Sequence, residues 1–466
     1  MLLLGGCRYN LPLWSGEVKV TALTRESIAK CGTGALTDAG STSITRDPYL
    51  QSTTTTSTIV AWGTRNPRGR VVISEPGGGE MVVTAEAAYA GDPDRLEARK
   101  GAWKEQDKEL SAENIYVVKA ELKGLKPTHL YCYQLFNDDI ALTEKAPMTT
   151  ASAASDDHLK FVALGDTGTG GPAQLAIAKW ISAQPFDFMV FLGDIAYEYG
   201  TAAQLQSNFF AVYRDFLRFV PVYPTIGNHE RRTRQGRPYF EAFVLPEPER
   251  YYSFDWGSVH FVAIDTTQRD STQLIWLDED LAKNKLPWVI VYGHHPMYTN
   301  SMRGAQQWIR RAFSKILTKH KVDIVLTGHE HQYERFKING VNYIVSGGGG
   351  GQLTRFFGEG RALKQFTVHH FLAFDVTSKE LEMRVIDISG REIEKLTLAK
   401  DSKNAPKKQE INDKPDTKQN VVPPEPKVVP DERIHDEPDD DKAREKVTPA
   451  VSTPPAPAAT PPSTKS

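Results

Sequence analysis

Between residues 160 and 400, short apolar runs alternate with stretches whose apolar positions recur every three to four residues. The runs 161–164, 188–192, 222–226, 288–292 and 324–326 are continuous and rich in β-branched and aromatic residues, which predicts buried strands. Residues 171–184 and 305–320 read as helices; in the second, Trp308, Ile309, Phe313 and Ile316 fall at helical spacing. Further strands are expected at 251–254, 259–264 and 341–345. Strands alternating with helices in this way predict a layered α/β domain.

Upstream, from about residue 43 to 148, the period is two. Residues 57–62, 70–74, 115–122 and 129–135 alternate apolar and polar and are separated by turn-rich gaps, the pattern of a β-sandwich. Past Asp401 the periodicity stops. There are no aromatic residues from Asp401 to Ser466, and 13 of the 29 prolines lie there. A segment of that composition buries too little apolar area to offset chain entropy and reads as a disordered tail.

At 466 residues the chain is too long for one compact core. Lysine plus arginine total 56 against 58 acidic residues, so no basic surplus points to nucleic acid as a primary partner. No run of about 18 apolar residues predicts a membrane-spanning helix. Cys7, Cys31 and Cys132 are too few and too scattered for a disulfide scaffold or a cysteine zinc site.

Each of the five α/β strands runs directly into metal-capable side chains. The endings are Gly165-Asp166-Thr167-Gly168, Gly193-Asp194-Ile195-Ala196-Tyr197, Gly227-Asn228-His229-Glu230, Gly293-His294-His295-Pro296 and Gly328-His329-Glu330-His331. Open α/β sheets bind ligands beyond the carboxyl ends of their strands, so the five loops should converge on one rim. Gly-Asp-x-Gly alone would arise by chance in about one such chain in six, but all five blocks in order lie far beyond chance. Carboxylate and phenolate oxygens suit a trivalent ion, whereas imidazoles and an amide suit a borderline divalent one. Two such ions clamp a phosphate and lower the pKa of a water for in-line attack on phosphorus.

The five blocks resemble those of the purple acid phosphatases, within the calcineurin-like metallophosphoesterases. Asp47-Pro-Tyr-Leu-Gln51 and the later Leu122-x-Gly-Leu-x-Pro-x-His-x-Tyr131 resemble the fibronectin type III-like domain of the larger members. The resemblance implies that Asp166, Asp194, Tyr197 and His331 hold one metal, typically Fe(III). It implies that Asp194, Asn228, His294 and His329 hold the other, Fe(II), Zn(II) or Mn(II), with Asp194 bridging. His229 matches the histidine that protonates the leaving oxygen or orients the phosphate. About nine residues after His294, where the family places a phosphate-contacting histidine, this chain has Met302 and Arg303. Arginine grips phosphate in a fork but donates no proton at working pH, which assigns Arg303 to substrate binding.

Among the other histidines, His295 reads as a wall residue, His260 as a satisfied core or edge residue, and His369 and His370 as packing or surface positions. The plain alternative for Asp166 is a helix N-cap, a role that Thr167 could fill just as well. Leu4-Gly5-Gly6-Cys7 resembles a bacterial lipobox, which implies a lipid-anchored, secreted or periplasmic protein, although no basic leader segment precedes it. Two readings stand for Cys132: a disulfide with Cys31 in such a compartment, or a buried free thiol.

The expected architecture is a multidomain α+β protein: a leader and linker (1–42), a fibronectin type III-like β-sandwich (43–152), an α/β/β/α metallophosphoesterase domain (158–400) and a disordered tail (401–466). The expected function is dimetal-dependent hydrolysis of phosphomonoesters, a small phosphoester being the partner. The alternatives are a phosphodiesterase or nucleotidase on the same centre, and a surface lipoprotein binding module with an inactive site.

Overall fold

The computed structural model of the chain describes residues 22–66, 68–89, 116–154, 158–357 and 360–400. Cys7 and the proline-rich segment 401–466 lie outside them, and so do the lipid-anchor and tail expectations. Residues 22–42, read above as part of a leader and linker, contain folded elements instead. Helices Ala22–Cys31 and Asp38–Ser43 precede the first strand; Thr37 Oγ1 caps the second by accepting Gly40 N–H at 3.0 Å. Cys31 is disulfide-bonded to Cys132, 101 residues away, which resolves the open question in favour of the pair.

The period-two region forms one antiparallel sheet. Its spatial order is Ile44–Gln51, Ser57–Thr64, Tyr116–Lys123, Glu80–Tyr89, Arg68–Ser74, Leu130–Asn137 and Ile140–Ala141, with Ala146–Thr149 also on Leu130–Asn137. The ladder is continuous through Glu80–Tyr89, yet Val60, Trp62 and Val118 from one half meet Val71, Ile73 and Tyr133 from the other in a single buried cluster. The two halves therefore close over one core, as the inward-facing positions of a sandwich do.

Two further sheets follow. The first runs Val222–Pro224, Phe188–Phe191, Leu159–Leu164, His370–Val376, Glu380–Asp387, Glu392–Ala399. The second runs Tyr252–Trp256, Val259–Ala263, Trp288–Tyr292, Ile324–Thr327, Val341–Ser346, Tyr333–Ile338, Lys364–Phe366. They pack face to face: Phe161 of the first sheet stands edge-on to Phe261 of the second at 5.1 Å, and Phe188 meets Phe254. On the outer face of the second sheet, Val262, Val289, Val291 and Val325 pack under helices Ser271–Lys283 and Gln307–Lys319. Helix Pro172–Ile181 buries Ile177 and Ile181 in the core of the first. That core also takes in Tyr49 and Ala61 from the upstream sheet and Ala151 just after it, so the described residues belong to one compact unit.

The chemistry-bearing strands are parallel neighbours: Leu159–Leu164 beside Phe188–Phe191 beside Val222–Pro224, and Trp288–Tyr292 beside Ile324–Thr327. Parallel strands bring their carboxyl ends to one edge, which delivers all five loops to the same rim. Among the described residues no helix is long and apolar enough to cross a membrane.

His260 lies in strand Val259–Ala263 with both ring nitrogens on carboxylates, Asp255 at 2.6 Å and Asp280 at 2.9 Å. Burial alone would lower its pKa; the two carboxylates outweigh burial and push it up to about 9. Because the folded value lies above the unfolded value of ~6.5, His260 contributes stability that is fully present below about pH 6.5 and is lost as pH rises through about 9. The urea midpoint of the protein should fall more between pH 6.5 and 9 than that of a His260→Asn variant. Parallel declines in the two proteins would contradict this.

Candidate metal centre

The seven expected donors meet at the rim in two groups. In the first, Tyr197 Oη lies 3.1 Å from Asp166 Oδ1 and 3.0 Å from His331 Nε2, while His331 Nε2 is 3.3 Å from Asp166 Oδ1. In the second, Asn228 Oδ1 lies 2.9 Å from His294 Nε2 and 3.1 Å from His329 Nδ1. Asp194 joins them: its Oδ2 is 3.2 Å from His294 Nε2, and Asp166, Asp194 and His294 each offer one ligand atom within 4.8 Å of the others.

The loops that aim these groups are locally strained. Asp166, Asp194 and His329 all adopt left-handed backbone, with φ of 59°, 52° and 68°. Each such non-glycine residue costs on the order of 1 kcal/mol or more, and strain of this kind gathers at functional sites. Two glycines give way to the donors themselves: a Cβ on Gly227 would sit 2.1 Å from Asp194 Oδ1, and one on Gly328 would sit 2.4 Å from Asp166 Oδ2. Neither Asp166 nor Thr167 takes the alternative role of helix cap. The helix starts later, with Gly171 as its N-cap, so Asp166 Oδ2 instead accepts His329 N–H at 2.7 Å.

Backbone carbonyls set the imidazoles. His294 Nδ1–H donates to Leu192 O at 2.8 Å and His331 Nδ1–H to Gln352 O at 2.7 Å, which turns Nε2 of each ring to the centre. Glu230, which follows the Asn228-His229 pair and was assigned no role from sequence, is fully buried and ties two loops together. One carboxylate oxygen accepts Asp194 N–H and Gly227 N–H, both at 2.9 Å; the other accepts Ile195 N–H at 3.0 Å and Ala196 N–H at 3.1 Å. Burial pushes this carboxyl up, and the four N–H donors oppose the rise.

The donor set fits cations. Burial followed by the charges of Asp166 and Asp194 pushes the Tyr197 phenol well above its ordinary pKa, so a phenolate there calls for a positive ion beside it. Burial would also raise Asp194, but the imidazoles of His294 and His229 outweigh it and hold that carboxyl well below the usual range.

His229 is held beside the pair. Its N–H donates to Asp194 Oδ1 at 3.0 Å, its ring lies edge-on to Tyr197 at 4.5 Å, and Nδ1–H donates to Glu198 O at 2.7 Å. Nε2 therefore faces the Asp194 side, 3.7 Å from Oδ2. Arg303 reaches the rim through its guanidinium, which donates to His329 O at 3.5 Å. His295 is buried against His329, ring centroids 4.5 Å apart, with Nδ1 on Thr266 Oγ1 at 3.1 Å. His370 packs with Nε2 on Ser346 Oγ at 3.0 Å, and His369 Nδ1 lies 3.2 Å from Gly348 O.

Residues 159–333 match the calcineurin-like phosphoesterase family. Over 277 residues the chain is 30% identical to a protein of Arabidopsis thaliana named "Probable inactive purple acid phosphatase 9", an alignment covering 47% of this chain and 42% of that protein. It is 29% identical over 268 residues to purple acid phosphatase 21 of the same plant, covering 52% and 58%. The chain thus spans about half the length of these curated relatives. Its fold is like that of a purple acid phosphatase from yellow lupin (Lupinus luteus) seeds, with a TM-score of 0.65 at 21% identity over 76% of this chain and 74% of the other. The family match over residues 159–333 spans all seven candidate metal ligands: Asp166, Asp194, Tyr197, Asn228, His294, His329 and His331.

Proposed function

We propose that the chain hydrolyses phosphomonoesters at a dinuclear metal centre. The observation that carries this reading is the convergence of seven donors in two groups that share Asp194. Asp166, Asp194, Tyr197 and His331 would hold Fe(III), since three of the four are oxygen donors. Asp194, Asn228, His294 and His329 would hold Fe(II), Zn(II) or Mn(II). Bound there, the ions would polarise the phosphoryl group and lower the pKa of a water.

The chain's own residues supply the rest. His229 offers Nε2 to the leaving oxygen, because Nδ1–H is committed to the Glu198 carbonyl. Arg303 places a guanidinium at the rim, where it would grip the phosphoryl oxygens. Glu230 fixes the Asp194 loop relative to the Asn228 loop, so that the donors meet without rearrangement. The upstream sheet would be the fibronectin type III-like domain of the larger purple acid phosphatases. The Cys31–Cys132 bond supports a secreted, periplasmic or surface-anchored protein, since disulfides persist in oxidising compartments.

Metal analysis and a phosphoester panel test the reading. Two bound ions per chain and turnover of monoesters are expected. Turnover of diesters or nucleotides alone would favour the phosphodiesterase or nucleotidase alternative, and absence of both metal and turnover would favour the binding module. Iron at the Tyr197 position should also give a violet phenolate band, which Tyr197→Phe should abolish while the far-ultraviolet circular dichroism stays unchanged. A colourless wild-type protein with full iron content would exclude Tyr197 as a ligand.

A further inference from the structure

The stretch from His329 to Glu334 alternates its side chains. His329 and His331 face the donors, while Glu330 and Glu334, both buried, face residues 299–301. Ser301 Oγ donates to Glu330. Thr299 Oγ1 and Asn300 N–H donate to the two oxygens of Glu334, each at 2.8 Å. From the other side, Phe357 N–H donates to Asn300 O at 2.8 Å, Met302 N–H to Arg355 O at 3.3 Å, and Ser301 pairs antiparallel with Phe356. Arg303 follows directly, with its N–H on Ser301 Oγ at 3.3 Å and its guanidinium on His329 O. The loop after His294 is thereby pinned from behind by the ligand segment and from the side by residues 355–357.

This pinned ribbon presents large apolar side chains to solvent: Met302 is 67% exposed and Phe357 76%. Met302 follows Ser301 and Phe357 follows Phe356, so the two side chains lie directly next to the one bridge that joins the segments. A lone exposed apolar residue needs no explanation. Two on neighbouring segments, with Arg303 next in the chain and its guanidinium on the backbone of a metal-ligand candidate, put apolar surface beside the place where a dianion would bind.

We propose that this ribbon receives the alcohol half of the substrate, so that the protein prefers phosphomonoesters of aromatic, flat apolar alcohols over those of polyols. The inference rests on the phosphatase reading and adds the class of alcohol to it. Arg303 holds the phosphoryl end; Met302 and Phe357 cover the ring.

The test uses the metal-loaded full chain and two unreactive dianions, benzylphosphonate and methylphosphonate, as competitive inhibitors. Neither has an ester bond, so leaving-group reactivity does not enter. Benzylphosphonate should inhibit ~10-fold more strongly, the lower end of what an added apolar contact gives. The Met302→Ser/Phe357→Ser variant, altered only at exposed positions, should lose that advantage. Equal inhibition by the two in the wild type, or an advantage that survives in the variant, overturns the proposal while leaving the phosphatase reading intact. Absence of inhibition by either, together with no ester turnover, overturns both.

Discussion

Asp194→Asn should strip metal from both positions and lower kcat/KM by ~10³-fold or more, whereas His294→Ala should empty mainly one. Asp194 stands between the groups, with Oδ2 3.2 Å from His294 and Oδ1 accepting His229 N–H at 3.0 Å. An amide keeps the size and some hydrogen bonding but removes the negative charge that two cations would share. Each ion is worth several kcal/mol of transition-state stabilisation, which sets the scale of the loss. The two variants are compared by metal stoichiometry after gel filtration and by kinetics on one monoester. Two full equivalents retained by Asp194→Asn would remove it from the bridging position.

His229→Ala should lower kcat ~10²–10⁴-fold for esters of poorly acidic alcohols and far less for esters of acidic phenols. The difference arises because a poor leaving group needs the proton that Nε2 would supply, while a good one departs without it. The ring's partners are the Glu198 carbonyl, the edge of Tyr197 and, at 3.7 Å, Asp194 Oδ2, so removing it takes away none of the seven candidate ligands. Metal content should therefore be preserved, which separates this loss from that of a ligand. The measurement is the slope of log kcat against leaving-group pKa. An unchanged slope in the variant would show that His229 orients the phosphate and donates no proton.

Much of the architecture was legible because continuous apolar runs leave few options. The run at 288–292 coincides with the observed strand Trp288–Tyr292, and the others shift by one or two residues at their ends. The candidate donors stood out for the same reason, each following the carboxyl end of a strand that the pattern reveals. Less visible was how those donors are aimed. The left-handed backbone of Asp166, Asp194 and His329 has no marker in non-glycine residues. The carbonyls of Leu192, Gln352 and Glu198 that orient three histidines belong to side chains of no relevant type. Glu230 could have been found, since a glutamate three residues after Gly227 reaches back to that residue's N–H as in a capping box. The helices at 22–31 and 38–43 escaped because neither has a strong apolar stripe; contacts with the sheet and the disulfide hold them instead.

The bond between Cys31 and Cys132 also changes what a protease can do. It turns the intervening 100 or so residues into a covalent ring from which the rest of the chain continues. A single cut anywhere inside that ring opens it without releasing either piece. The catalytic part would stay attached to the segment before Cys31, migrating as one species on a non-reducing gel and as two once the bond is reduced. A nicked population would thus look intact until a reductant revealed it.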